Sequence, residues 1–97
     1  MAGILAAMRW APQASWLVAA RHHPDLSLDA LRWLLSTRSP GVWATLPKFP
    51  GSAVADPLLA HYDYRACALL EQLAVAGDSR PARIASSSKV ITPSPPE

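Results

Sequence analysis

Six side chains of this sequence have the chemistry of zinc ligands, and they form two groups along the chain. They are His22, His23 and Asp25 in one group and His61, Asp63 and Cys67 in the other. Zinc sites usually show ligand pairs at fixed helical or knuckle spacing. Two adjacent histidines lack that spacing, and positions 61 and 63 point to different sides of a helix. We therefore predict ordinary polar side chains here, with no metal and no other cofactor.

Residues for covalent or phosphate chemistry are equally sparse. The glycines are too far apart to form a loop that cradles a phosphate; they are Gly3, Gly41, Gly51 and Gly77. No serine has the flanking glycines of a nucleophile elbow. A lone cysteine such as Cys67 is more often a small core residue than a nucleophile. These absences predict a protein that is not an enzyme and has no small-molecule substrate.

Large aromatic side chains are the feature that a small core does not easily absorb. There are four tryptophans and one phenylalanine in 97 residues. Trp33, Trp43 and Phe49 are the ones we expect to be left outside the core. A Pro-rich loop could fold Trp43 and Phe49 over the helices as a lid. Equally, exposed aromatics mark interaction sites, so we predict these three as contacts for a protein partner or a second copy.

A basic first half supports an alternative function in DNA binding. The chain carries a net charge of +2, and the excess lies before residue 56, in Arg9, Arg21, Arg32, Arg38 and Lys48. Two short helices over residues 13–21 and 27–38 could form a helix-turn-helix-like pair, whose second helix enters the major groove. Asp25 and Asp29 at the start of that helix would repel phosphate. Nucleic acid is therefore the second choice of partner.

The elements that would position these residues are read as helices. Pro12 suits the first turn of a helix over residues 13–21. Ser27 is a good N-cap for a second helix, which Pro40 and Gly41 end. The third helix extends from Asp56 to Gly77 along a leucine-rich face. Alternatively, Asp63 caps a shorter helix and residues 56–62 form a separate turn.

The remaining segments are predicted to lack regular structure. Residues 39–56 contain three prolines and two glycines, which favours a loop. Residues 42–46 could be extended, but no second strand is evident to pair with them. Residues 78–97 are rich in serine and proline and have little to bury. The sequence thus predicts an all-α fold of three or four helices in an orthogonal arrangement, with one helical domain at residues 1–77 and a disordered tail at 78–97.

Composition and the N-terminus complete this picture. A single cysteine allows no internal disulfide and favours a reducing compartment, so we predict a cytoplasmic protein without membrane contact. The apolar start resembles a helix that packs on the core more than a targeting segment. The leading functional hypothesis is a small, non-enzymatic helical module for protein–protein interaction or regulation. The DNA-binding regulator is the alternative.

Overall fold

The computed structural model describes residues 2–52 and 54–95, and it contains both helices and strands. The helices are α1 (Ala2–Trp10), α2 (Leu28–Ser36) and α3 (Ala66–Val75), with a 3-10 helix at Pro81–Ser86. The strands are β1 (Trp16–Ala19), β2 (Ala44–Thr45), β3 (Leu59–Tyr62) and β4 (Val90–Ile91). The fold is therefore α/β, and the predicted all-α class is wrong.

The four strands form one mixed sheet in the order β1-β3-β2-β4. Strand β3 is antiparallel to both neighbours, with Tyr62 opposite Trp16 on one side and opposite Ala44 on the other. Strand β4 pairs with β2 in parallel, with Val90 beside Ala44. It follows that β1, β2 and β4 run in one direction and β3 in the other.

Strand β3 is buried on both faces because helices cover the sheet on each side. Its alternate residues Ala60 and Tyr62 belong to the larger core cluster, together with residues of α1 and α3. Leu59 faces the other way and packs with Leu34 of α2 and with Phe49. This alternation is the period of two that a strand imposes. The chain therefore builds two apolar layers, one on each face of a small sheet.

Local signals place α2 and the end of α3 correctly. The Ser27 hydroxyl accepts a hydrogen bond from the Ala30 N–H at 3.0 Å, as an N-cap does. Gly77 ends α3 with a φ of 79°, a left-handed conformation that glycine adopts without strain. The predicted helix from Asp56 to Gly77 is nevertheless too long. Its first part contains strand β3, and α3 begins only at Ala66.

Three further predictions are corrected by the sheet. Residues 16–19 are a strand and not part of a helix, and their half-buried and exposed positions alternate. Residues 44–45 of the predicted loop have two neighbouring strands. The expected disordered tail contributes the 3-10 helix and β4, and Ile84 and Val90 are buried in the larger core cluster. Pairing over long sequence separations overrides the weak local preferences of these short segments.

Candidate functional site

The strand directions bring four chain segments together at one edge of the sheet, which we call the carboxyl edge. Strands β1, β2 and β4 all end there, and β3 begins there. In open α/β sheets, ligands bind in the crevice outside the carboxyl ends of the strands. The residues that follow β1 and β2 and those that precede β3 are therefore the first candidates for a functional site.

A histidine and a carboxylate from two of these segments form a pair at the carboxyl edge. The Nε2 atom of His23 lies 2.5 Å from Oδ2 of Asp56. The side chains are 7% and 25% exposed. Nδ1 of His23 accepts a hydrogen bond from the Asp25 N–H at 3.0 Å. The hydrogen bonds therefore assign the imidazole proton to Nε2, and this N–H donates a hydrogen bond to Asp56.

The chemical role of this pair is to position the chain. Both nitrogens of the His23 ring are occupied, and Oδ1 of Asp56 accepts the Leu58 N–H at 2.8 Å. The Asp56 N–H in turn donates to the Pro47 carbonyl at 2.8 Å. Asp56 thus connects three segments through its hydrogen bonds: the loop after β1, the residues after β2 and the start of β3.

A cavity of about 290 Å³ lies at the carboxyl edge, beside the N-terminus of α2, and we call it the Trp33–Phe49 pocket. It is lined by Asp25, Ser27, Asp29, Ala30, Trp33, Phe49, Pro50 and Pro95. The Phe49 ring connects this pocket to the histidine pair, because its centroid is 5.3 Å from that of His23. Two aromatic walls and two carboxylates suit a flat ring that carries N–H donors, whereas the carboxylates disfavour a phosphate.

The candidate zinc ligands are distributed over both ends of the sheet. Among residues 2–52 and 54–95, no three or more His, Cys, Asp or Glu side chains come together as a group that could hold a metal ion. His23 and Asp25 are at the carboxyl edge, whereas His61 and Asp63 line a cavity at the opposite end. Cys67 lies in α3, where burial raises the pKa of its thiol and so keeps it protonated.

The predicted partner contacts occupy two different places. Trp33 packs on the cluster of Leu34, Phe49 and Leu59, and both Trp33 and Phe49 line the Trp33–Phe49 pocket. Trp43 packs on the other core cluster, and its ring lies beneath the cations of Arg65 and Lys89 at 5.9 and 5.7 Å. Contact of these three aromatics with a protein stays a prediction.

The basic residues proposed for DNA belong to four separate elements. Arg9 of α1 makes an ion pair with Glu71 of α3 at 2.8 Å. Arg21 and Lys48 are exposed in the loops after β1 and β2, and Arg32 and Arg38 lie on and just after α2. Because residues 16–19 form a strand, the two-helix motif of the DNA-binding alternative does not exist. That prediction is wrong.

Sequence reasoning missed Asp56 and Arg65 as candidate site residues, and it considered His61 only as a zinc ligand. The sequence indicates Asp56 only as a helix cap, because its partner His23 is 33 positions away. No local pattern indicates a contact of that separation. His61 follows the alternation of β3 and faces the same side as Leu59, a signal that a strand assignment would have revealed.

No protein-family model matches this chain, and no curated protein matches it significantly. Among solved structures, it is similar to a crystal structure of molybdopterin-guanine dinucleotide biosynthesis protein A from Archaeoglobus fulgidus. The TM-score is 0.75 and the sequences are 29% identical. The match covers 96% of this chain and 46% of that one, so the chain spans about half the length of the solved structure.

This likeness contradicts several conclusions drawn from the sequence. The similar protein is named for the biosynthesis of a dinucleotide, which supports an enzyme-related function over a non-enzymatic interaction or regulatory module. The predictions of no enzyme and no small-molecule substrate are overturned by the same finding.

Of the described helices, none combines the length and apolar character needed to cross a membrane.

Proposed function

We propose that this protein is an enzyme-related α/β unit that handles a guanine nucleotide or a pterin during the biosynthesis of a dinucleotide. The observation that carries the proposal is the structural match over 96% of the chain at 29% identity. Proteins that share the arrangement of an open sheet also share the edge at which ligands bind. The match extends over 46% of the other chain, which is less than half of its length. The activity of that whole protein is therefore assigned to this chain as part of the proposal.

The Trp33–Phe49 pocket supplies the chemistry for the ring of such a substrate. Guanine and pterin present the same 2-amino-4-oxopyrimidine edge, in which a ring N–H and an amino group donate side by side. A carboxylate accepts two such hydrogen bonds. Asp25 and Asp29 line the pocket, and the Trp33 indole provides a surface for stacking. We therefore propose that the ring binds in this pocket with its donor edge toward a carboxylate.

Charge at the carboxyl edge orients the rest of the substrate. The two aspartates repel phosphate, so the phosphate groups must extend out of the pocket. Arg21 and Lys48 are exposed cations that follow β1 and β2. In the proposed arrangement, they attract the phosphates, and the His23–Asp56 pair keeps their two loops in place.

Binding of matched ring pairs tests this proposal. GMP is compared with AMP, which lacks the paired donors, and pterin is compared with its 2,4-dioxo analogue lumazine. Tryptophan fluorescence and amide NMR report the titrations. We expect GMP or pterin to bind at least about tenfold more tightly than its partner compound, with shifts at Trp33 and Asp29. Equal binding within both pairs, or no binding of any compound, would refute the proposal.

A carboxylate variant locates the site. Asp29→Asn replaces one acceptor oxygen by a donor and should weaken the binding of GMP or pterin about tenfold. Glu71→Gln is the matched control, because it changes the same chemical group on α3, far along the chain from the pocket. If Asp29→Asn and Glu71→Gln weaken binding equally, or if neither Asp29→Asn nor Asp25→Asn weakens it, the ring does not bind in the Trp33–Phe49 pocket.

We also propose that the protein acts in the cytoplasm. Support comes from the sequence, in which Cys67 is the one cysteine and no internal disulfide can form. Fractionation of cells that express the tagged chain tests the proposal. Recovery with secreted or organellar proteins would contradict it.

A further inference from the structure

A second cavity lies at the opposite end of the sheet, which we call the amino edge. Strand β1 begins there, β3 ends there and the loop after α2 passes over it. The cavity has a volume of about 380 Å³ and is lined by Ser15, Leu35, Arg38, Ser39, Pro40, Val42, His61, Asp63 and Arg65. Its polar lining differs from that of the Trp33–Phe49 pocket, because the described residues contribute two guanidinium groups, from Arg38 and Arg65, and one carboxylate, from Asp63.

The guanidinium of Arg38 has unused hydrogen-bonding capacity. Its Nε donates to the Leu35 carbonyl at 3.1 Å, which fixes the side chain against the end of α2. Within the described part of the chain, no carboxylate forms an ion pair with Arg38. A guanidinium has five N–H donors in a planar fork that matches two oxygens of a phosphate. Arg38 thus offers an uncompensated charge to the cavity.

Arg65 neutralises the carboxylate of Asp63, which also lines the cavity. Its Nε donates to Oδ1 of Asp63 at 2.8 Å, and the Arg65 backbone N–H donates to the same oxygen at 3.0 Å. Burial alone would raise the pKa of the Asp63 carboxyl, but these hydrogen bonds bring the pKa below its usual value. Asp63 therefore stays paired, and the positive charge of Arg38 is left in excess.

His61 adds a polar group that brings no charge of its own at neutral pH. The residue is only 6% exposed. Burial, followed by the nearby charge of Arg38, lowers the pKa of its imidazole. The neutral ring has one N–H donor, and the hydroxyls of Ser15 and Ser39 add two more donors to the lining.

We propose that the amino-edge cavity is a binding site for a phosphate group, held by Arg38 and Arg65 with His61 and Ser39 as further donors. A tetrahedral oxyanion accepts from many donors at once, and Arg–phosphate contacts are frequently bidentate. The volume leaves room for a substituent on the phosphate. This site is independent of the proposed ring pocket, because it lies at the other end of the strands.

The test is a titration of the full chain with inorganic phosphate, followed by amide NMR at constant ionic strength, with sodium chloride as the control salt. We expect saturable shifts at Ser39, Val42 and Arg65, with a dissociation constant below about 10 mM. Arg38→Gln and Arg65→Gln should each weaken binding at least about tenfold. Arg32→Gln removes the same charge from an exposed position of α2 and should leave binding unchanged.

Several outcomes would overturn the site. They are the absence of saturable shifts, shifts that sodium chloride reproduces, and equal weakening by Arg32→Gln and Arg38→Gln. Spectra recorded without phosphate establish that each variant is folded. Ser39→Ala, an exposed and structurally mild change, serves as a further variant and should weaken binding without loss of spectral dispersion.

A parallel titration with GMP separates free phosphate from a phosphate ester. Tighter binding than inorganic phosphate at the same amides assigns the site to an ester, and equal binding assigns it to the free anion. Shifts confined to Arg21 and Lys48 with inorganic phosphate, and to these residues together with Trp33 and Asp29 with GMP, report the carboxyl edge alone and overturn the amino-edge site. The two proposals therefore fail in distinguishable ways.

Discussion

The Nε2 atom of His23 lies 2.5 Å from Oδ2 of Asp56, and this contact joins the loop after β1 to the residues that lead into β3. The same aspartate accepts the Leu58 N–H and donates its own N–H to the Pro47 carbonyl. The shape of the carboxyl edge thus depends on one pair of side chains that are well separated in sequence.

Loss of the charge on Asp56 should therefore destabilise the protein. Asp56→Asn is expected to lower the free energy of unfolding by about 1–2 kcal/mol, because the His23 N–H loses an anionic acceptor. Urea denaturation measures the change. Asp25→Asn is the control, since the Asp25 side chain is exposed and its backbone N–H, which contacts His23, is retained. A loss no greater than that of the control would show that the pair contributes nothing to stability.

Acid should destabilise the fold through His61. Burial and the Arg38 charge hold the pKa of His61 below its ordinary value of 6.5. The unfolded chain therefore binds this proton at a higher pH than the folded chain does. The contribution of neutral His61 to stability is complete above pH 6.5 and is lost as the pH falls through that value toward the folded-state pKa.

The His61→Gln variant has no titrating side chain at position 61, so its comparison with wild type isolates the contribution of His61 to the pH dependence of stability. Between pH 7.5 and 5, the free energy of unfolding of wild type should fall more steeply than that of His61→Gln, by up to about 1.4 kcal/mol per pH unit. Urea denaturation at each pH gives the two slopes. Parallel slopes would mean that His61 titrates alike in both states.

Docking of α1 should depend on apolar burial more than on its ion pair. Met8 is 2% exposed in the larger core cluster, whereas Arg9 meets Glu71 at the surface. Met8→Ala is expected to lower the free energy of unfolding by about 2–5 kcal/mol. Arg9→Ala should have a much smaller effect, because exposed ion pairs contribute little. Comparison of the two denaturation curves decides the matter, and a larger effect of Arg9→Ala would reverse this order.

The turn after α3 should require glycine. Gly77 has a φ of 79°, so a Cβ there is strained, although it would meet no atom within 4 Å beyond the adjacent residues of the chain. Gly77→Ala is expected to lower the midpoint of thermal unfolding, at a cost of about 1–2 kcal/mol. Gly41→Ala is the matched control, because Gly41 has equal space and no positive φ. Equal midpoints for the two variants would indicate that the turn relaxes without cost.

The sequence by itself determined the features that depend on neighbouring residues. Ser27 marks the start of α2 because its hydroxyl needs only the N–H groups of the first turn. Gly77 marks the end of α3 because its backbone alone adopts a left-handed conformation readily. Each signal acts over a few positions, and each was readable without knowledge of the fold.

Only the tertiary structure decided the sheet and both sites. Trp16 pairs with Tyr62 and Ala44 with Val90, over separations at which no local pattern reports the partner. Residues 59–62, all apolar or aromatic except His61, satisfy helical and strand patterns alike, because a strand buried on both faces lacks a regular polar alternation. The His23–Asp56 pair and the amino-edge cavity exist only once those strands are aligned. Short strands gain their stability from neighbours across the sheet, so their chemistry is assembled by the fold.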